Sequence, residues 1–271
     1  MEMEQITVEK AKELMLEIMT YFDDFCRNNG IKMWLYAGTL LGAIRHKGYI
    51  PWDDDIDVCM TREDYEKLLT LVDKIDPKYV LYEHRLNKKY KYPFAKLCLK
   101  DSSCVEFHNP KFCGVKLGIY IDIFPIDYVG NTKEEAIEHC TATNKMVWKT
   151  MLFLKIPLDG NFVVRFLKRV KRLFCYNSLM ANIHLKKFHA MLTKYKEPTK
   201  YSAVPVWVNA TKTILVSEDY RGDVKLPFEG KEFYSFDGHI HFLETLFGDY
   251  MQLPPVEQRE VHGFEAYIVK K

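Results

Sequence analysis

The sequence predicts an α/β (α+β) fold, a mixed sheet followed by a mainly helical region. Three observations carry that expectation. Short apolar runs with a spacing of two recur up to about residue 130, helical periodicity dominates from Thr132 to about Lys196, and an irregular stretch follows to the C-terminus. The chain therefore divides into a sheet-containing core at 1–130, a basic helical region at 131–200 and a segment at 201–271 that packs back on the core, all as one compact unit. With 271 residues, 48% of them apolar and 14% aromatic, it is long enough to bury a substantial core.

The elements can be justified in order. Val8, Ala11, Met15, Ile18, Phe22 and Phe25 recur at spacings of three and four, with Thr7 as cap and Gly30 near the end, so the first element is a core-packing helix. Ile31 to Tyr36 reads as a short strand, running into a glycine turn and a helical start at Ala37-Gly38-Thr39-Leu40-Leu41-Gly42-Ala43-Ile44-Arg45. Ile56, Val58 and Met60 alternate as on a strand with one buried face. Glu63 to Lys74 is expected as a helix entered at Thr61. Tyr79 to His84, Ala95 to Leu99, Ser103 to Phe107 and Ile119 to Phe124 are expected as short strands, the last closed by a Phe124-Pro125 turn that leaves Asp127 as a turn or cap residue. Thr132 with Glu135 forms a capping box at the start of the helical region.

The chemistry-bearing feature is Asp53-Asp54-Asp55-Ile56-Asp57, four carboxylates in five residues. Their mutual repulsion calls for a cation. A calcium EF-hand loop would need Gly at its sixth position and Glu at its twelfth, where this chain has Val58 and Asp64. On a strand, Asp55 and Asp57 project from the same side and can share metal ions. Hard oxygen ligands with open coordination sites suit Mg²⁺, with Mn²⁺ as the alternative, bound together with a substrate phosphate. Upstream, backbone amides at the Gly38-Thr39 strand-to-helix junction would welcome an anion. Arg45, His46 and Lys47 lie between the two features and could neutralise a diphosphate; a solvated basic loop is the plainer reading of the same three residues.

The stretch from Gly38-Thr39-Leu40-Leu41-Gly42 through Arg45-His46-Lys47-Gly48-Tyr49-Ile50-Pro51-Trp52 to Asp57 resembles the signature of the LicD family, phosphotransferases related to fukutin. Ile121-Asp122-Ile123-Phe124-Pro125-Ile126-Asp127 is similar to the family's later acidic strand, and blocks from Phe228 to Arg259 and His262 are similar to its C-terminal region. Tyr234-Ser235-Phe236-Asp237-Gly238 departs from the family pattern, which has a proline-containing segment there. The resemblance implies a polymerase-β-like nucleotidyltransferase core. A carboxylate on a sheet surface is costly unless paired or metal-bound, so Asp122 is expected to join Asp55 and Asp57 in a three-carboxylate catalytic and metal site.

The resemblance further implies transfer of phosphocholine from CDP-choline, or of another CDP-alcohol's phosphate, to a sugar hydroxyl of a cell-surface glycan or lipid-linked glycan of the teichoic acid or lipopolysaccharide type, with release of CMP. Gly38, Thr39, Arg45 and Lys96 would contact phosphate, and Asp53 and Asp54 would orient the loop or meet substrate. A quaternary ammonium is bound by aromatic faces, for which Trp52 and Phe124 are nearest in sequence and Trp207 and Tyr250 are further options. A polyol-phosphate transferase, an ordinary nucleotidyltransferase attacking the α-phosphorus, and a catalytically silent membrane-surface assembly partner are the alternatives.

Between Lys145 and Lys196 twelve Lys or Arg face one acid, Asp159, in a chain whose net charge is only +2. On a helical wheel Phe162, Val163, Phe166, Leu167, Val170, Leu173 and Phe174 share one arc, and Arg165, Lys168, Arg169, Lys171 and Arg172 fill the other. Either the apolar arc packs into the core, or residues 162–174 lie on an anionic membrane or bind an acidic acceptor. Aromatic residues do not interleave with the charges, so nucleic acid is not an expected partner. Seven cysteines without a Cys-x-x-Cys pair fit a reducing compartment; a zinc site at Cys98, Cys104 and Cys113 would need His108. An acidic start at Met1-Glu2-Met3-Glu4 and no long apolar run lead to the expectation of a cytoplasmic protein, peripheral at the inner face of the plasma membrane if the basic helix binds lipid.

Overall fold

The computed structural model describes residues 2–106, 115–154, 161–175, 178–259 and 263–270. In chain order, the first half contains β1 (Met3–Ile6), α1 (Val8–Asn28), β2 (Trp34–Leu35), α2 (Ala37–Arg45), β3 (Asp57–Thr61), α3 (Arg62–Thr70), β4 (Tyr79–Tyr82), β5 (Ala95–Leu99), β6 (Ser102–Glu106) and β7 (Tyr120–Gly130). There follow α4 (Lys133–Leu154), α5 (Phe162–Cys175), α6 (Ser178–Leu192), β8 (Tyr201–Ala203), β9 (Leu215–Val216), β10 (Val224–Phe228), β11 (Lys231–Ser235), α7 (His239–Phe247) and β12 (Phe264–Val269).

The central sheet has the order β2-β3-β7-β5-β4 and is mixed, with β3 parallel to β7 and the other pairs in that row antiparallel. β8 extends from the far end of β7, and β9 from β8. Parallel neighbours are buried on both faces, which is why Val58, Cys59 and Met60 are all solvent-free and the expected half-polar alternation is lost on β3. α1 covers the sheet with Ala11, Met15, Ile18 and Phe22, and its first turn is closed by Thr7 Oγ1 accepting from Lys10 N at 3.2 Å. Thr61 caps α3 in the same way through Asp64 N. Thr132 and Glu135 form the expected reciprocal box, Glu135 N donating to Thr132 Oγ1 at 3.2 Å and Thr132 N to the Glu135 carboxylate at 3.3 Å.

Three expectations need correction. The strand expected to stop at Phe124-Pro125 runs on to Gly130. Pro125 falls after β7 has finished pairing with β5, at Ile123, and before it begins pairing with β8, at Asp127, so no antiparallel hydrogen bond is lost to its missing N–H. Asp127 is therefore no turn residue: it is buried within the strand, and Arg62 grips it with Nε and Nη2 at 2.7 and 2.8 Å. The C-terminal segment is not irregular. It contains a strand pair to the central sheet, the β10–β11 hairpin whose turn residues Glu229 and Gly230 both have positive φ (49° and 72°), α7, and β12, which pairs with β1 and β6 in a separate three-stranded sheet. The zinc expectation turns on His108 and Cys113, which lie outside the described residues; Cys98 and Cys104 are buried.

Arg62 is 15% exposed and Asp127 2% at the side chain. Burial disfavours the guanidinium charge, but the carboxylate beside it more than offsets this and holds its pKa above the ordinary value. Removing one partner leaves the other charge buried and unpaired. Asp127→Ala is therefore expected to lower the unfolding free energy by about 3–5 kcal/mol, measured by urea titration; a loss below about 1 kcal/mol would show that the pair is not a stabilising element of the sheet.

Candidate active site

The register of the central sheet builds the site. Asp57 on β3 is directly opposite Asp122 on β7, and Asp122 is directly opposite Lys96 on β5. Directly paired residues on neighbouring strands share a face about 4.8 Å apart, so an acid, an acid and a base stand in one row. Lys96 Nζ closes on Asp122 Oδ1 at 2.6 Å. Its ammonium also lies 3.5 Å from the Tyr120 ring centroid, 5.2 Å from Tyr92 and 5.6 Å from Phe94, so an aromatic surround substitutes for the water that burial removed.

Asp57 is buried, and its pKa is raised well above the carboxylate range. Loss of solvent is the largest cause; repulsion from Asp55, Asp122 and Asp53 adds to it, and Lys96 opposes it. Asp55 is half-buried in the extended segment just before β3, so the strand itself supplies only Asp57 of the Asp-x-Asp pair. Among the described residues no three acidic, imidazole or thiolate side chains close into a ready metal cage, consistent with Lys96 occupying one oxygen of Asp122. The donor set nonetheless fits a hard divalent cation, since all the acids are oxygen donors and Asp57 carries repulsion from three carboxylates that one added cation would relieve.

The preceding loop is organised around the same carboxylates. Ala37 takes a left-handed φ of 44° where β2 turns into α2, a strained conformation for a residue with a Cβ. Gly38 follows because a Cβ there would lie 2.5 Å from Asp53 Oδ2. The helix N-terminus proposed for an anion is thus overhung by a carboxylate in this state. Thr39 Oγ1 accepts from Asp57 N at 2.8 Å, tying α2 to the head of β3. Asp54 is buried, and its Oδ2 accepts from Gly263 N at 2.9 Å, fastening the C-terminal segment over the loop.

Arg45, His46, Lys47 and Trp52 form a separate, cationic side. Arg45 Nη1 donates to the Tyr250 carbonyl at 2.7 Å and Nε to His46 Nε2 at 3.0 Å. Burial lowers the Arg45 pKa and the nearby Arg259 guanidinium lowers it further, a repulsion that an incoming anion would relieve. Burial, then Arg45, likewise lowers His46 below the ordinary imidazole value, keeping the ring neutral as an acceptor. Lys47 has φ 61°, and its Nζ donates to Ile44 O at 2.9 Å, so it closes the C-terminus of α2. The Trp52 ring is stacked by Arg259 at 4.4 Å, with Arg45 at 5.9 Å. Its face is taken by guanidinium groups, which displaces it as the ammonium-binding ring. Sequence shows Arg259 only as part of a C-terminal motif block, because its stacking on Trp52 is a contact between residues far apart in the chain.

Phe124 lies two residues beyond Asp122 on the same strand face. It packs with Phe94 at 4.5 Å, Trp207 at 5.1 Å and Tyr36 at 5.6 Å between centroids. Phe124, Phe94 and Tyr36 are buried, while Trp207 is half-buried. The aromatic surface beside the carboxylate row therefore comes from four elements or loops, of which sequence singled out Phe124 and left Trp207 unplaced.

A row of two acids and a lysine, a glycine-bearing helix start and a cationic arginine pair are groups able to handle a phosphate ester. Residues 30–159 match the LicD/FKTN/FKRP nucleotidyltransferase domain, so this part of the chain is a LicD-family domain. It is 29% identical to the lipopolysaccharide cholinephosphotransferase LicD of Haemophilus influenzae over 283 aligned residues, covering 98% of this chain and 100% of that protein. Human ribitol 5-phosphate transferase FKRP is 51% identical over 35 residues, 13% of this chain and 7% of that protein. The uncharacterized protein RP689 of Rickettsia prowazekii is 32% identical over 108 residues, 40% of this chain and 39% of that one.

Because the folded-state pKa of Asp57 is raised, the stability it contributes is fully present below the unfolded carboxylate value of about 3.9 and is lost as pH rises through the raised value. Asp57→Asn removes that loss. The metal-free variant is expected to melt about 2–4 °C above the parent at pH 8, with the gap closing towards pH 4. Thermal unfolding followed by circular dichroism at the two pH values checks this, and a variant that melts lower at pH 8 would show that the carboxylate is not strained.

Proposed function

We propose that the protein transfers phosphocholine from CDP-choline to a hydroxyl of a lipopolysaccharide-type glycan and releases CMP. The observation that carries this reading is the near full-length similarity to a lipopolysaccharide cholinephosphotransferase, coinciding with the Asp57–Asp122–Lys96 row. In the reaction, the acceptor oxygen forms a bond to the phosphorus bearing choline. The bond from that phosphorus to the bridging oxygen breaks, and the electron pair leaves with CMP.

Each residue has a task in that step. Asp122 takes the proton of the incoming hydroxyl. As its charge is neutralised its hold on Lys96 weakens, which frees the ammonium for the charge on the phosphoryl oxygens. Arg45 and Arg259, which repel one another, meet the diphosphate; the Gly38-Thr39 turn takes a phosphate oxygen once Asp53 is drawn off it. Asp55 and Asp57, with Asp122, would hold Mg²⁺ or Mn²⁺, and such an ion would supply charge neutralisation on the diphosphate. The half-buried Trp207, backed by Phe94 and Phe124, offers aromatic surface for a quaternary ammonium group, which cannot donate hydrogen bonds.

Incubation with Mg²⁺, CDP-choline and a lipopolysaccharide acceptor should release CMP, followed by mass spectrometry. Asp55→Asn, Asp57→Asn and Lys96→Met should each lower kcat about 10²–10³-fold. Faster turnover of CDP-ribitol or CDP-glycerol than of CDP-choline would overturn the assignment of the donor, and an Asp57→Asn enzyme of full activity would overturn the site.

A further inference from the structure

The segment 162–174 was open to two readings, and the structure removes one of them. The first half of α5 does not bury its apolar arc. Phe162 is 80% exposed, Val163 61%, Phe166 57% and Leu167 58%. Large apolar side chains remain exposed on the flanking helices too, with Trp148 on α4 and Leu179 and Ile183 on α6. A contiguous apolar helix face left in water needs an occupant.

The charges of the helix select that occupant. α5 contains five Lys or Arg and no acid. A second copy packed on the apolar arc would cover it but leave the cations of the opposite arc without a counter-charge. An anionic bilayer instead satisfies both arcs at once: apolar side chains enter the acyl boundary while the cations stay at the level of the lipid phosphates. Among the described residues no helix is long and apolar enough to cross a membrane, so lipid contact by these residues is made from the surface.

We propose that α5 docks the protein on an anionic membrane, inserting Phe162, Val163, Phe166 and Leu167 and setting Arg165 and Arg169 against lipid phosphates. The docking requires neither CDP-choline nor the carboxylate row, so it stands or falls separately from the proposed transfer. It would give the enzyme access to acceptors that reside in a lipid surface.

Vesicle sedimentation tests the proposal with the full chain. Phosphatidylglycerol and phosphatidylcholine in about equal parts should pellet the protein, whereas phosphatidylcholine alone should not. Arg165→Gln with Arg169→Gln should weaken binding about 30-fold, at about a factor of five per charge removed, and raised salt should act in the same direction. Phe166→Ser with Leu167→Ser should also abolish pelleting while leaving the circular dichroism spectrum and CMP release with a water-soluble glycan unchanged. No binding to the anionic vesicles, or undiminished binding by the serine pair, overturns the proposal. So does a concentration-dependent dimer in ultracentrifugation that the serine pair dissolves, because the face would then belong to a second copy. Membrane binding that persists in an enzyme without CMP release separates failure of the transfer reading from failure of this one.

Discussion

Parallel pairing of β3 with β7 is the constraint on which the rest of the molecule depends. It sets Asp57 against Asp122 on one sheet face, where solvent is scarce and two negative charges cannot be held without compensation. The surrounding elements supply it in part. β5 brings Lys96 to the outer carboxylate, α2 receives the Asp57 amide on Thr39, and the C-terminal segment gives the Gly263 amide to Asp54. What remains is an excess of negative charge at Asp57, a deliberate imbalance of the kind that active sites retain.

The same two strands show what a resolved version looks like. At their other end, Arg62 follows β3 directly and Asp127 lies opposite it on β7, the two joined by two hydrogen bonds and largely shielded from solvent. Arg62 there meets Asp127 in fork geometry and reaches Glu66 as well, which Arg85 balances, so acids and bases match in number. At the candidate-site end three other acids repel the buried Asp57 and the row supplies a single lysine. Burial is common to both ends; only the count of charges differs, and that difference separates scaffold from chemistry.

How much of this was legible in the sequence depended on the range of the interaction. Local signals were read well: Thr7, Thr61 and the Thr132–Glu135 box mark helix starts because a cap acts within one turn, and Ala95–Leu99 was bounded correctly. Asp54 accepts from Gly263, a partner too distant in the chain for any local signal to give. Pro125 misled because its meaning depends on which neighbour β7 has at that point, a fact fixed by residues near 95 and 203. β1 and β12 went unseen because each is a strand only in the other's company. Trp52 was offered as a ring for ammonium, yet the arginine that covers it comes from over two hundred residues away. α5 was the reverse case: periodicity gave its two faces, and only tertiary structure could say that the apolar one stays outside.

Met3 pairs with Val269, and the last strand also binds β6. β1 leaves the ribosome long before β12, so it must wait for its partner. The loop-closure entropy of so distant a contact must be met by a core already folded around α1 and the central sheet. Since the approach to β12 also carries the amide that fastens Asp54, closure of this small sheet and completion of the acidic loop are one event. The strands and helices of the central sheet can assemble early, whereas the loop that carries Asp54 gains its Gly263 partner only after that distant residue has been made.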